Sequence, residues 1–239
     1  MSWLARLEVD ADTVRKYGVS DDIYAWHKML WECHPNEPEA KRDFLTRIDQ
    51  LDGVYRLWIM AKRKPRCPRW CPPDGFALKE ISPLFLTHRC YAFDLRANPT
   101  KCLVQRGSSE ETLFKTGPNG EILVSLNGKP KRKHGKRIPL VEPEELRAWL
   151  IHKGEVRRKE NDKDVPGGFK ILEGKPLEIS PMVESHFRKG RMSGYHAGVQ
   201  FRGTLEVTDR ARFVETYESG IGGAKGFGFG LLLLAPINI

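Results

Sequence analysis

Residues 220–236 read GIGGAKGFGFGLLLLAP, and this stretch decides how the end of the chain folds. Six glycines among residues 220–230 let the backbone reach positive φ angles and approach another backbone closely, where a Cβ would clash. The apolar run that follows is too short to span a membrane and predicts a fully buried strand. A glycine-rich loop that carries a lysine and leads into a core strand is typical of phosphate-binding surfaces, because its N–H groups can point at an anion. A flexible loop before the final strand is the alternative interpretation.

The pattern upstream of this stretch follows the order β-α-β-β-α-β. Strands are predicted over residues 91–97, 177–187, 196–207 and 228–235, and helices over 143–152 and 208–217. The first half of the chain starts in the same way, with strands over 2–9 and 54–61 on either side of a helix over 23–33. Ser20, Asp21 and Asp22 offer capping residues for the start of this helix. The sequence therefore predicts an α+β protein of two tandem ferredoxin-like (βαββαβ, RAMP-type) domains. Their expected bounds are residues 1–88 and 89–239, with a long insertion between residues 99 and 139.

The chain of 239 residues is basic, with 40 Lys and Arg against 31 Asp and Glu and a formal net charge of +9. This excess favours a polyanionic partner, most simply a nucleic acid, through phosphate contacts and the release of counterions. A protein whose positive charges are only solvated is the alternative. The N-terminal residues do not resemble a signal peptide, and no apolar run reaches the roughly eighteen residues of a membrane span. A cytoplasmic protein that does not bind membranes is therefore expected.

The five cysteines are irregularly spaced, which argues against the disulfide framework of a secreted protein. Cys67 and Cys71 are close in sequence, but Cys33 and His34 lie far upstream and would have to meet them in space to complete a zinc site. We therefore expect reduced, structural thiols rather than a bound metal.

The first predicted helix has two distinct faces. An apolar stripe for the core recurs at helical spacing, and a second stripe beside it carries Tyr24 and His27. Because these two residues are three apart, their side chains rise from one face as neighbours. A phenol and an imidazole at this spacing can relay protons or grip one phosphate, and satisfied packing is the alternative. The apolar stripe consists of Ile23, Trp26, Leu30 and Cys33.

Several features, taken in order, resemble one protein family. They are the Tyr-x-x-His pair, LRANPTK at residues 95–101, GKR at 135–137, FKILEG at 169–174 and GTLEV at 203–207, followed by the glycine-rich tail. Together with the basic charge and the tandem ferredoxin-like units, they resemble the CasE family, the CRISPR-associated endoribonucleases of type I-E systems. The resemblance extends over essentially the whole chain. The tail and the LRANP stretch are its most specific signals.

The resemblance implies a metal-independent cleavage of CRISPR precursor RNA at the base of the repeat hairpin, without a cofactor. In this reaction the 2′-OH attacks the adjacent phosphate and leaves a 2′,3′-cyclic phosphate and a 5′-OH. By the same resemblance His27 carries the acid/base work, and Tyr24 positions the nucleophile or the phosphate. The loop residues Gly222, Gly223, Lys225 and Gly226 are expected to position the RNA.

Basic residues elsewhere are candidate RNA contacts. Arg188, Lys189 and Arg191 lie on a predicted β-turn, where a protruding hairpin can press on an RNA stem, which is recognised mainly by shape and phosphates. The family places basic residues on this hairpin, so it ranks above the basic residues inside the insertion. Arg96 and Lys101 are further candidates. For each of these residues a solvated or packing role is the alternative.

The resemblance also implies the partners. They are the repeat hairpin or guide RNA and the other subunits of the type I-E Cascade complex, with target DNA reached only through the complex. Two alternatives stay open. The first is a non-catalytic RNA-binding subunit, in which Tyr24 and His27 only clamp the RNA. The second is a scaffold protein whose basic surface binds acidic partners.

Overall fold

The computed structural model describes residues 2–19, 22–34, 42–103, 114, 117–124, 128, 130, 136–155, 158–160, 163–165, 167–190 and 192–238. In chain order its strands and α-helices are β1 (Ser2–Asp10), α1 (Ala11–Lys16), α2 (Ile23–Leu30), β2 (Phe44–Gln50), β3 (Val54–Ala61), β4 (Phe76–Ile81), β5 (Cys90–Ala97), β6 (Thr100–Leu103), β7 (Lys136–Pro139), α3 (Pro143–Glu155), β8 (Arg158–Glu160), β9 (Lys163–Val165), β10 (Phe169–Ile171), β11 (Glu178–Ile179), β12 (Val183–Lys189), β13 (Met192–Val207), α4 (Arg210–Ser219) and β14 (Leu232–Ile237).

Two antiparallel sheets form the framework of the chain. The first has the strand order β2-β3-β1-β4, and the second runs β10-β13-β5-β14. Both orders are those of the ferredoxin-like unit, in which the first strand lies between the third and the fourth. In the second sheet, α3 and α4 supply the two crossover helices between the paired strands. The predicted α+β fold of two ferredoxin-like units is confirmed.

The first unit departs from the expected order at its second crossover. Residues 62–75 connect β3 to β4 without an α-helix, ending in a short 3₁₀ turn at Pro73–Gly75. Four prolines lie in this connection, and proline removes a helical hydrogen bond and clashes with the preceding turn. The sequence interpretation also missed α1, β2 and β4.

The prediction of a fully buried final strand is wrong for its second half. Leu231 and Leu232 are buried, but Leu233 and Leu234 are half-buried and Ala235 is exposed. The reason is that β14 is an edge strand, paired only with β5, so that less of the protein covers it. Among the described residues, no helix is both long and apolar enough to cross a membrane.

Helix α2 starts where the sequence places a capping residue. The Asp22 carboxylate accepts a hydrogen bond of 2.8 Å from the Tyr24 N–H, which satisfies an orphan donor of the first turn. Trp26, Leu30 and Cys33 of the predicted apolar stripe are buried in the core against β1 and β3, and Ile23 is half-buried. The helix continues as a 3₁₀ turn at Trp31–Cys33. Burial of this stripe directs Tyr24 and His27 away from the core.

By their contacts the residues divide into a larger unit, Met1–Pro99 with Val141–Ile239, and a smaller unit, Thr100–Leu140. Both ferredoxin-like sheets lie in the larger unit. The smaller unit contains the antiparallel pair β6–β7 and corresponds to the insertion seen in the sequence. The division into domains 1–88 and 89–239 stays a prediction.

A buried ion pair joins the two sheets of the larger unit. The Arg47 guanidinium on β2 donates to both carboxylate oxygens of Asp94 on β5, at 2.7 and 3.3 Å, and its side chain is only 4% exposed. Asp49, Gln200 and Arg202 complete the network with bonds of 2.8 to 3.0 Å. Burial alone would raise the pKa of Asp94, but these donors, Arg47 first, lower it below its usual value. The Asp94 carboxylate is therefore ionised in the folded protein near neutral pH.

Replacing Asp94 by Asn should destabilise the protein by roughly 2–4 kcal/mol at neutral pH, because it leaves the buried Arg47 undercompensated. The folded-state pKa of Asp94 is lowered, so its stabilisation is present above the unfolded value and is lost as the pH falls through the folded value. The difference between wild type and variant should therefore shrink below about pH 4. Urea unfolding as a function of pH measures both effects.

The matched control is Asp12→Asn, which breaks the exposed Arg15–Asp12 pair, whose side chains are 71% and 78% exposed. This change should cost less than about 1 kcal/mol at every pH. Equal effects of the two substitutions would contradict a structural role for the buried pair.

Candidate active site

Helix α2 presents Tyr24 and His27 side by side. Their ring centroids are 6.3 Å apart and the rings are nearly parallel, at 28°. The Trp31 indole N–H, one turn further along, donates a hydrogen bond of 3.3 Å to His27 Nε2. This bond holds the imidazole in one orientation on the helix face. All three side chains are half-buried. An oriented, partly accessible imidazole beside a phenol is suited to proton transfer.

The glycine-rich loop is closed by two backbone hydrogen bonds. The Ile221 N–H donates to Gly230 O at 2.9 Å, and the Gly230 N–H donates to Arg96 O at 2.8 Å. This closure requires glycine at residue 220. Its φ is +75°, and a Cβ there would lie 2.8 Å from Gly230 O and equally close to Leu45. The loop is therefore a closed turn anchored to β5.

The closed loop carries Phe227 to the catalytic candidates. The Phe227 ring centroid is 6.5 Å from that of His27. On its other side it contacts Phe187 of β12 at 5.4 Å and His196 of β13 at 4.7 Å. Three segments that are far apart in sequence thus converge at Phe227. They are helix α2, the glycine-rich loop and the β12–β13 hairpin.

His196 packs among the aromatic rings of this cluster. Its ring also stacks on Phe187, with centroids 5.2 Å apart, and its Nε2 has no hydrogen-bond partner among the described residues. Burial lowers the pKa of His196 below its usual value. The ring is therefore neutral near pH 7 and acts as an aromatic support for Phe227.

The basic hairpin is joined to the start of α2. The Arg188 N–H donates to the Asp22 carboxylate at 3.4 Å, the same oxygen that caps the helix, and the Arg188 side chain is exposed. Lys189 ends β12, where it pairs with Met192 of β13. Arg191 lies outside the described residues. The structure thus brings the turn end of the hairpin beside the start of α2, the helix that carries the Tyr24–His27 pair.

The four loop residues that the sequence predicts to position RNA have defined places in the structure. The Lys225 ammonium donates to Ser219 O at 2.7 Å, which caps the last turn of α4. Gly222 has a φ of +86°, and a Cβ there would lie 3.1 Å from the Trp149 ring. Gly223 is half-buried in the loop, and Gly226 lies against the Arg42 guanidinium. Whether these residues position RNA remains a prediction.

The two remaining candidates lie in different units. Arg96 is half-buried, and burial lowers the pKa of its guanidinium. It donates to Ile48 O at 2.6 Å and to Ser185 Oγ at 3.3 Å. Lys101 lies in the smaller unit, where it pairs with Ile138 and is exposed. The bonds of Arg96 agree with the packing alternative, and an RNA contact by either residue remains a prediction.

Sequence reasoning missed the aromatic support of the site and Arg42. Phe187, His196 and Phe227 meet only through long-range packing, so no local spacing signals their contact. Trp31 was visible on the same helix stripe as His27, and its indole donor was the available signal. Among the described residues, no group of three or more His, Cys, Asp or Glu is arranged to hold a metal ion.

The family model for CRISPR associated proteins matches residues 2–236. The chain belongs to this CRISPR-associated protein family.

Two relatives of the CRISPR-associated family cover nearly the whole chain. The CRISPR-associated endoribonuclease Cse3 of Thermus thermophilus is 34% identical, over 98% of this chain and 100% of its own. The Cascade subunit CasE of Escherichia coli is 26% identical, over 91% of this chain and 94% of its own. Among solved structures, Thermus thermophilus Cse3 bound to an RNA that represents a pre-cleavage complex matches with a TM-score of 0.70 at 24% identity. That match covers 98% of this chain and 99% of the other, and it shows a shared fold.

Gly220→Ala should lower the melting temperature more than Gly174→Ala. Both glycines have positive φ, +75° and +72°, but a Cβ at residue 174 meets nothing within 4 Å, whereas at residue 220 it meets the Gly230 carbonyl. Strain alone costs about 1–2 kcal/mol, and the clash at residue 220 adds to it. Thermal unfolding of both variants measures the difference, and equal melting temperatures would contradict the tight closure of the loop.

Proposed function

We propose that this protein is a metal-independent endoribonuclease that cuts CRISPR precursor RNA at the base of the repeat hairpin. The convergence at Phe227 carries the proposal, since it joins an oriented His27 to a basic hairpin in a chain of this family. Cse3 of Thermus thermophilus supports the same class of activity, because it is named an endoribonuclease and is bound to RNA in a solved structure.

The reaction has three chemical requirements. The 2′-OH must lose a proton, the leaving 5′-oxygen must gain one, and negative charge on the phosphorane must be stabilised. His27 carries the proton transfer, because an imidazole titrates near neutral pH. Tyr24 positions the attacking oxygen or the phosphate, because a phenol is a poor base near neutral pH. The products are a 2′,3′-cyclic phosphate and a 5′-OH.

The basic hairpin gives the enzyme its hold on the RNA stem. Arg188 is exposed on β12, beside the capped start of α2, so a stem lying on the hairpin ends near His27. Shape and phosphate recognition of this kind survives cleavage, since the stem is unchanged by the cut. The protein then stays on the mature guide RNA as a subunit of Cascade, as the name of its Escherichia coli relative suggests. It meets target DNA only through that complex.

His27→Ala should lower the single-turnover cleavage rate of a labelled repeat hairpin by about 10²–10⁴-fold, the usual contribution of general acid–base catalysis. The assay is run in excess EDTA, where wild type should cut at one site. The dissociation constant for the hairpin should change by less than about threefold, because the imidazole is a small part of the interface.

The control for this assay is His152→Ala, which removes an exposed histidine in the last turn of α3 and should leave the rate unchanged. Tight binding without any cut by wild type would favour the non-catalytic RNA-binding subunit. Cutting only after a divalent metal ion is restored would contradict the metal-independent reaction.

A further inference from the structure

The Arg42 side chain packs directly on the glycine-rich loop. A Cβ on Gly226 would lie 2.8 Å from Arg42 Nη1, so the absence of a side chain at residue 226 is what admits the guanidinium. Arg42 is half-buried and comes two residues before β2, and Gly226 lies inside the short 3₁₀ turn Lys225–Phe227. A planar cation thus rests directly against the backbone of the loop.

The positive charge of Arg42 has no carboxylate partner among the described residues. The adjacent Asp43 is bound in a two-pronged ion pair by Arg63, at 2.8 and 2.7 Å. Burial lowers the pKa of the Arg42 guanidinium, and no charge among the described residues offsets this effect. A partly buried cation without a counterion is costly, which is why such groups usually face a ligand of opposite charge.

The other cations near the loop are already engaged. Lys225 caps α4 through Ser219 O at 2.7 Å, and Arg96 donates to Ile48 O at 2.6 Å. Both side chains thus donate hydrogen bonds that stabilise the fold. Arg42 differs from both, because its guanidinium contacts the loop without a hydrogen-bond acceptor among the described residues.

Two short connections lead from Arg42 to His27. Phe44, two residues after Arg42, packs on Trp31 with ring centroids 5.0 Å apart, and Trp31 donates to His27 at 3.3 Å. Gly226 immediately precedes Phe227, whose ring is 6.5 Å from that of His27. Arg42 therefore joins the same cluster as the acid/base candidate, from the loop side.

We propose that Arg42 binds the non-bridging oxygens of the scissile phosphate and stabilises the charge that develops there. This inference rests on the proposed function. As the 2′-oxygen–phosphorus bond forms and the phosphorus–5′-oxygen bond breaks, the electron pair leaves with the 5′-oxygen and charge rises on the non-bridging oxygens. A guanidinium fork matches two such oxygens and binds them more tightly as their charge grows.

Arg42→Ala should lower the single-turnover cleavage rate by about 10²–10³-fold, the range for loss of one preorganised oxyanion donor. Arg42→Lys should recover part of the rate, since it restores the charge without the fork. Added guanidinium ion should partly rescue the Ala variant and leave wild type unchanged. A purely structural arginine would show no rescue.

Gly226→Ala provides an independent variant that keeps the charge. Its backbone φ lies outside the left-handed region, so alanine is tolerated there, but the new Cβ would displace the Arg42 guanidinium. We expect a smaller loss of rate, about tenfold, because the arginine remains but is misplaced. The control is Arg212→Ala, an exposed arginine paired with Asp209 at the far end of α4, which should leave the rate unchanged.

Binding of a hairpin with a 2′-deoxy scissile nucleotide tests the phosphate contact apart from cleavage. Loss of one phosphate contact should reduce the slope of log K against log salt by about one in Arg42→Ala. An unchanged slope, or a wild-type rate in the Ala variant, would overturn the proposal. So would a lost rate that neither lysine nor guanidinium recovers, accompanied by a lower melting temperature. If wild type never cuts, the proposed function fails, and the salt slope alone decides the role of Arg42.

Discussion

Two backbone hydrogen bonds, from Ile221 N–H to Gly230 O and from Gly230 N–H to Arg96 O, hold the ends of the glycine-rich loop together on strand β5. Their lengths, 2.9 and 2.8 Å, require the chain to pass where any side chain at residue 220 would strike the Gly230 carbonyl. Because the ends are fixed, Phe227 at the far side of the loop has a fixed place. This ring packs between His27 and Phe187 of the basic hairpin, which is also joined to the start of α2 by the Arg188–Asp22 hydrogen bond.

The arginine and lysine side chains of this basic chain fall into two groups with different roles. Arg47, Arg96 and Lys225 are held by carboxylates or carbonyl oxygens inside the fold and stabilise it. Arg42 and Arg188 face the loop and the solvent near α2. A net charge of +9 is therefore not in itself a measure of nucleic-acid affinity. What matters is which guanidinium groups the fold leaves without an internal acceptor.

The sequence pattern predicted those elements that depend on interactions between residues close in sequence. The stripe of Trp26, Leu30 and Cys33, the Asp22 cap and the long hairpin strand β13 follow from helical spacing, capping chemistry and strand propensity. The support of the site did not follow from pattern, because Phe187 and Phe227 are forty residues apart and meet only through tertiary packing. The hydrogen bond from the Lys225 ammonium to Ser219 O was not signalled by the sequence for the same reason, and an RNA contact by Lys225 stays a prediction.

The most direct test of a 2′-OH mechanism is the chemistry of the cut ends. Wild-type protein is incubated in EDTA with repeat hairpins that carry a single 2′-deoxy nucleotide at successive positions, and the fragments are analysed by mass spectrometry. We expect a 2′,3′-cyclic phosphate on the upstream fragment and a 5′-OH on the downstream one. One deoxy position, immediately upstream of the cut, should abolish cleavage. Fragments with a 3′-OH and a 5′-phosphate, or a cut that no deoxy substitution affects, would contradict attack by the 2′-OH.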